Sequence, residues 1–223
     1  MRLSRIIVAM FIMAAGVRAG ELLDRIVVTV NGNALLQSDW DGELQYENFM
    51  AARPYDKATP IDRESALNRI IDQELLREQM RPTDFKPVTA VEVENQIGLL
   101  KAQYEHEHAG QSWSASLNRY GISEAEIRAH VEVELNQLRI IDLRLRPSIQ
   151  VDESAVQGYY RQKIASLTAG KPAMTLAEAE PKIREILVQE QMNKLLDSWL
   201  ESLRSQAKIQ RFTSDSSAQA RQP

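Results

Sequence analysis

Apolar residues follow two patterns along this chain. Near the two ends they form short runs, and between them they recur every three to four positions. Ile26–Val30 is the first run, and it is rich in β-branched residues. Asn31-Gly32 follows; this pair favours a type I′ turn, because both central residues of that turn need positive φ. Asn33–Leu36 can return as a second strand. Ser38 then stands as the expected N-cap of a helix from Asp39 to about Ala52, with Asp39 and Asp41 at the positive end of its dipole. An isolated hairpin is marginal in water. Ala207–Phe212, the last apolar run, is the expected third strand, which would tie the two ends of the chain together.

Between these runs the spacing is helical. Trp40 and Leu44 share a face, and Arg53-Pro54 ends that helix. Asp62 is the expected cap of a second helix to about Met80, with Leu67, Ile70, Ile71 and Leu75 on one face and Glu78 in the same line. Pro82 and Pro87 bracket a linker. Thr89, Ser123 and Thr175 each precede a glutamate by three positions and open capping boxes. They predict helices from Ala90 to His108, from about Glu124 to Pro147, and from Leu176 onward. The second carries Ile127, Val131, Leu135, Leu138, Ile141 and Leu145. The third carries Ile183, Ile186 or Leu187, Met192, Leu195, Trp199 and Leu203. Pro181 costs about 3 kcal/mol in a helix interior, so this helix either kinks there or restarts with Pro181 in its first turn. Short helices are expected over Ser114–Tyr120, closed by Gly121, and from Asp152 to about Leu167. The fold class is thus mostly α: a multi-helix domain with a small β-hairpin completed by a C-terminal strand.

Composition narrows the setting. The 223 residues carry a formal charge of −4, which gives no global signature of nucleic-acid binding. Arg2 and Arg5 precede the apolar stretch Ile6–Val17, which is shorter than the roughly 20 residues of a membrane span. Val17-Arg18-Ala19 has the small residues of a cleavage site. Residues 1–19 therefore read as a secretory signal peptide, with an uncleaved anchor as the alternative. There is no cysteine, so neither disulfides nor thiol catalysis enter. An acidic, cysteine-free exported chain fits a bacterial periplasm, with no stable membrane insertion after cleavage. Residues 20–150 read as one module and 151–212 as C-terminal helices and a closing strand packing back on it. Residues 213–223 have the composition of a disordered tail.

The stretches DRIVVTVNGNALLQSDWD, LNRIIDQELLREQM, ISEAEIRAHVEVELNQLRIIDLRLRP and LLDSWLESLRSQAKIQRF resemble the N-terminal chaperone module of SurA-type periplasmic proteins and its returning C-terminal helix and strand. The resemblance spans about residues 22–212. It implies a SurA N-terminal-like helical domain that binds unfolded outer-membrane or secreted protein clients and needs no cofactor. Larger members insert parvulin-type prolyl isomerase domains before the last helix. Here that interval is Leu167–Met174, too short for such a domain, so no catalytic residue is carried over and no enzyme is expected. A prolyl isomerase-related enzyme and a structural module pairing with one envelope partner are the competing functions.

Candidate chemistry is sparse. His106 and His108 are two apart and do not share a helix face, so a solvated helix end is expected rather than a metal site. His130, between Ile127 and Val131, is expected to be a partly exposed helix residue rather than a base. Asp39 and Asp41 belong to a helix N-terminus. Tyr46, Phe49, Met50, Tyr104, Trp113 and Tyr120 exceed what one helical stripe needs. Aromatics and methionine suit adaptable peptide-binding surfaces, so these six are the expected client crevice, with ordinary core packing as the alternative.

Overall fold

The computed structural model describes residues 24–80, 85–164 and 174–212. The expected leader at 1–19, the expected tail at 213–223, part of the Pro82–Pro87 stretch and most of Leu167–Met174 lie outside the described residues. Strands β1 (Ile26–Val30) and β2 (Asn33–Leu36) form the hairpin, with Asn31 at φ 52° and Gly32 at φ 91° in its turn. Strand β3 (Ile209–Arg211) pairs antiparallel with β1, opposing Ile209 to Val30 and Arg211 to Val28, so the order is β2-β1-β3. The β1–β2 register shifts between Ile26 and Val28, and the neighbours Val27 and Val28 are both buried.

Seven α-helices lie among the described residues: α1 (Gln37–Met50), α2 (Pro60–Gln79), α3 (Ala90–Glu107), α4 (Trp113–Tyr120), α5 (Glu124–Leu145), α6 (Glu153–Tyr159) and α7 (Leu176–Gln206). The mostly helical class with a three-stranded sheet is the one the patterning predicts. None of these helices is long and apolar enough to cross a membrane.

Two caps differ from expectation. Helix α1 starts one residue before Ser38, with Leu36 at the N-cap position. Asp39 accepts from the Leu36 N–H at 2.7 Å, and Ser38 instead donates through both its N–H and its hydroxyl to Asp24. In α2 the cap is Thr59 rather than Asp62. Asp62 sits three residues on and closes the box by accepting from the Thr59 N–H at 2.8 Å, while Pro60 needs no donor there. Helix α7 does not restart at Pro181; it begins at Leu176 and runs through it. In α5, Leu138 is 55% exposed while Ile140 is buried, because the two halves of this long helix pack against different partners.

Three apolar clusters hold the fold. Val27, Val28, Val30 and Leu35 of the sheet pack on Leu67, Ile70, Ile71 and Leu75 of α2, with Leu203 and Ile209 closing the side. Burying each such side chain contributes roughly 1.5–3 kcal/mol. Asn31 joins three elements here. Its side-chain amide donates to Glu78 at 2.7 Å, its side-chain oxygen accepts from the Lys208 N–H at 2.8 Å, and its own N–H donates to the Lys208 carbonyl at 3.0 Å. Arg204 of α7 makes two 2.6 Å bonds to Asp72 of α2. A second cluster joins α1, α3, α4 and α5, and a third pairs Val156 of α6 with Ala179 and Ile183 of α7.

Candidate functional site

The second cluster contains most of the aromatic residues singled out above. Phe49 stacks on Tyr104 with centroids 4.8 Å apart and meets Trp113 and Tyr120 edge-on at 5.0 and 5.7 Å. Val93, Leu117, Ile127 and Val131 complete the packing. Phe49, Tyr104, Trp113 and Tyr120 are all buried. Offset and edge-on contacts of this kind stabilise a core beyond the area they bury; Phe49, Tyr104 and Trp113 are enclosed, and Tyr120 only edges a separate opening beside Gln45, Pro54 and Arg119. Tyr46 and Met50 are different. They are half-buried at the margin of the cluster and line an opening beside it. His108 also packs on Tyr104, at 4.4 Å.

That opening follows from helical spacing. Glu43, Tyr46, Glu47 and Met50 recur at three- and four-residue intervals and share a face of α1. Glu126, His130, Val133 and Gln137 do the same on α5. Arg69 and Gln73 are four apart on α2. Where these faces meet, a cleft of about 690 Å³ opens between α1, α2 and α5, lined by Glu43, Tyr46 and Gln73 and the four α5 residues, while Glu47, Met50 and Arg69 lie on an adjoining opening. Leu35 of β2 and Ile70, Met80 and Val133 give it apolar walls. Val133 is 45% exposed, although it is a large apolar residue. A second opening of about 670 Å³ shares Glu43, Tyr46, Gln73, His130 and Gln137 with the first. The buried side-chain amide nitrogen of Gln137 has no hydrogen-bond partner.

Glu43 is the centre of this shared floor. Its side chain is 4% exposed. One carboxyl oxygen lies 3.2 Å from the Arg69 Nε; the other accepts from Gln73 at 3.0 Å and lies 3.7 Å from the His130 Nδ1. Arg69 is shared, since its Nε also lies 2.6 Å from Glu47. Loss of water pushes the Glu43 carboxyl up to about 7, against the opposing pull of Gln73 and Arg69 and with help from the charges of Glu47 and Glu134. Loss of water, reinforced by the Arg69 charge, pushes the His130 imidazole down to about 4. His130 is therefore neutral at physiological pH, and its contact with Glu43 is not an ion pair. Its ring stacks on Tyr46 with centroids 3.5 Å apart, and burial holds the Tyr46 hydroxyl above its ordinary value. The expectation of a partly exposed His130 holds for its accessibility but misses its place in this floor.

The cleft thus combines apolar walls, several side-chain amides and one carboxyl that exchanges its proton near neutrality. Such a mixture, largely apolar with a few convergent polar groups, is the usual make-up of a binding site. Among the described residues, no group of three His, Asp or Glu side chains converges to hold a metal ion. On the opposite side of α5, a groove of about 750 Å³ between α3, α5 and α7 exposes Leu99 and Leu138. Periodicity alone does not assemble either site. Glu43, Arg69, Gln73 and His130 come from three helices, and only the i,i+4 pair Glu43/Glu47 hints at a charged face on α1.

The architecture is similar to that of a solved structure from Campylobacter jejuni, described with the virulence factor PEB4 and the periplasmic protein Cj1289 as two structurally related SurA-like chaperones. The likeness covers 85% of this chain and 100% of that one, at 12% sequence identity and a TM-score of 0.52. This likeness concerns the fold. No family model matches the sequence, and no curated protein matches it.

Proposed function

We propose that this protein is a non-catalytic chaperone of the bacterial periplasm that holds extended apolar segments of unfolded envelope or outer-membrane proteins in the α1–α2–α5 cleft. The observation that carries this reading is the cleft itself, an open and mainly apolar cavity whose amides can serve the backbone of a bound segment. The SurA-like fold supports it, and so does the short interval between Ile164 and Leu176, which leaves no room for an isomerase domain. Residues 20–150 act as the client-binding module. Residues 151–212 brace it through α7 and β3, and residues 1–19 direct export and are removed. Of the six aromatic and methionine candidates, Tyr46 faces the client in the cleft, Met50 lines the adjoining opening, and the other four hold the module's shape.

The test is dilution of a chemically unfolded outer-membrane barrel protein into buffer with and without this protein, followed by light scattering. Aggregation is expected to be delayed by the wild type. Ala129 and Val133 are both exposed in the cleft wall, one turn apart on α5. Ala129→Gln with Val133→Gln is expected to weaken the effect several-fold without changing helical circular dichroism. Catalysed cis/trans exchange of a proline-containing tetrapeptide would favour the enzyme reading instead, and no delay at several-fold molar excess would remove the chaperone reading.

A further inference from the structure

Glu43 sits where a bound segment would lie, and it is already almost out of water. The groups that face it are few. On its own helix they are Glu47 and the Tyr46 ring. From α2 come Arg69 and Gln73, and from α5 come His130 and Glu134. The remaining charged groups of the cleft have other partners. Glu74 is bonded twice to Arg77, at 2.6 and 2.5 Å; Asp39 caps α1, and Glu126 caps α5 by accepting from the Ser123 N–H at 2.7 Å. The floor therefore holds three carboxylates, from Glu43, Glu47 and Glu134, against the single guanidinium of Arg69, which Glu43 and Glu47 share. His130 adds no charge there at neutral pH.

An apolar segment seated over this floor removes the remaining water and brings no compensating charge. Desolvation penalises only the ionised carboxyl. We propose that occupation of the cleft is coupled to uptake of one proton by Glu43, so that extended apolar segments bind more tightly as pH falls from 8 to 6. The inference rests on the cleft being the client site. It makes Glu43 a regulatory group and leaves the apolar walls to supply the affinity. Its position in the free protein, with a carboxyl that changes charge near neutral pH, places the response within the range of an exported protein's surroundings. His130 does not contribute in this range, because it is neutral throughout.

The probe is a labelled peptide with aromatic and polar residues in alternation, titrated calorimetrically at pH 6, 7 and 8 in buffers of different ionisation enthalpy. The wild type is expected to bind about five- to tenfold more tightly at pH 6 than at pH 8, with uptake of about half to nearly one proton per peptide at pH 8. Glu43→Gln is expected to bind at every pH as the wild type does at pH 6, with no proton uptake. Wild-type binding that takes up no proton, or a Glu43→Gln variant that keeps the wild-type pH dependence, would overturn the coupling while leaving the cleft as a binding site. Absence of binding at pH 6 would overturn the cleft reading and the coupling with it. The carboxyl ¹³C shift of Glu43 in the free protein gives an independent readout. Titration near the ordinary 4.5, together with peptide binding that takes up no proton, would overturn the coupling.

Discussion

Helix α1 presents two adjoining faces with opposite fates. On one, Phe49 is enclosed by Tyr104, Trp113 and Tyr120 and has no contact with solvent. On the other, Tyr46 lies on His130 beside a nearly buried carboxyl and lines an open cleft. Both faces are aromatic, so aromatic content alone does not mark a binding surface. The difference lies in the company. The first face is saturated by apolar partners from α3, α4 and α5. The second meets Glu43, Gln73, Gln137 and Arg69, which cannot close over one another without leaving polar groups unpaired. Polar side chains forced into the junction keep that seam open.

The largest expected effect separates the two faces by stability. Phe49→Ala should cost about 3–5 kcal/mol, as a large side chain lost from a closed core does. Ala129→Gln with Val133→Gln, on exposed positions of the cleft wall, should stay within about 0.5 kcal/mol. Chemical denaturation monitored by circular dichroism measures both. Equal losses would mean that the two faces are not different in kind.

The next effect concerns the charges in the floor. The Glu43 carboxyl takes its proton more readily in the folded protein, at about 7, than at its ordinary 4.5. Its contribution to stability is therefore present below about pH 4.5 and lost as pH rises through about 7. His130 has the opposite sign. Its imidazole is pushed from 6.5 down to about 4, so its contribution is present above about pH 6.5 and lost as pH falls through about 4. At about 1.4 kcal/mol for each tenfold change in proton affinity between the unfolded and folded chain, each is worth about 3 kcal/mol. Between pH 4.5 and 6.5 the two nearly cancel, so their joint contribution to the wild-type profile should be almost flat. Glu43→Gln should unmask the histidine, with stability falling as the pH is lowered from 6.5. His130→Gln should unmask the carboxyl, with stability falling as the pH is raised from 4.5 to 7. Denaturant midpoints at half-unit pH steps read these slopes, and two variants with the same slope would break the account of the floor.

A change remote from both faces sharpens the comparison further. Opposite Thr29, Gln210 lies midway between two β1–β3 bonds, Asn31 N–H to the Lys208 carbonyl and Phe212 N–H to the Val27 carbonyl. Gln210→Pro removes the N–H between them and should cost about 2 kcal/mol. It should leave the shape of the pH profile unaltered. A changed profile would mean that the sheet and the cleft floor are not independent.

Much of the fold is legible in local chemistry. Asn31-Gly32 demands positive φ, and the boxes at Thr89, Ser123 and Thr175 start helices where expected. Legibility fails where a neighbour outside the local pattern decides. Asp24, before the hairpin, takes the Ser38 donors that would otherwise mark a cap, and Asp62 serves Thr59 from the third position. A single stripe does not describe α5, which changes partners along its length, so Leu138 faces out and Ile140 faces in. Of the six residues expected to line a client crevice, Tyr46 and Met50 line openings at the α1–α2–α5 junction, Tyr120 edges a separate one beside Gln45 and Pro54, and Phe49, Tyr104 and Trp113 are enclosed. Glu43 and His130 are not legible as a pair, because their chemistry arises from three helices meeting, and no spacing within one helix encodes that meeting.

Helix α5 offers the most direct test of where a client sits, because it exposes an apolar side chain on each side. Val133 lines the α1–α2–α5 cleft, and Leu138 lines the groove towards α3 and α7. A photo-reactive side chain placed at each position in turn, with an unfolded outer-membrane barrel protein as client, compares the two sides at similar exposure to solvent. Strong cross-linking from position 133 and background from position 138 is the result predicted. Cross-linking from position 138 with none from 133 would contradict the assignment of the cleft as the client site.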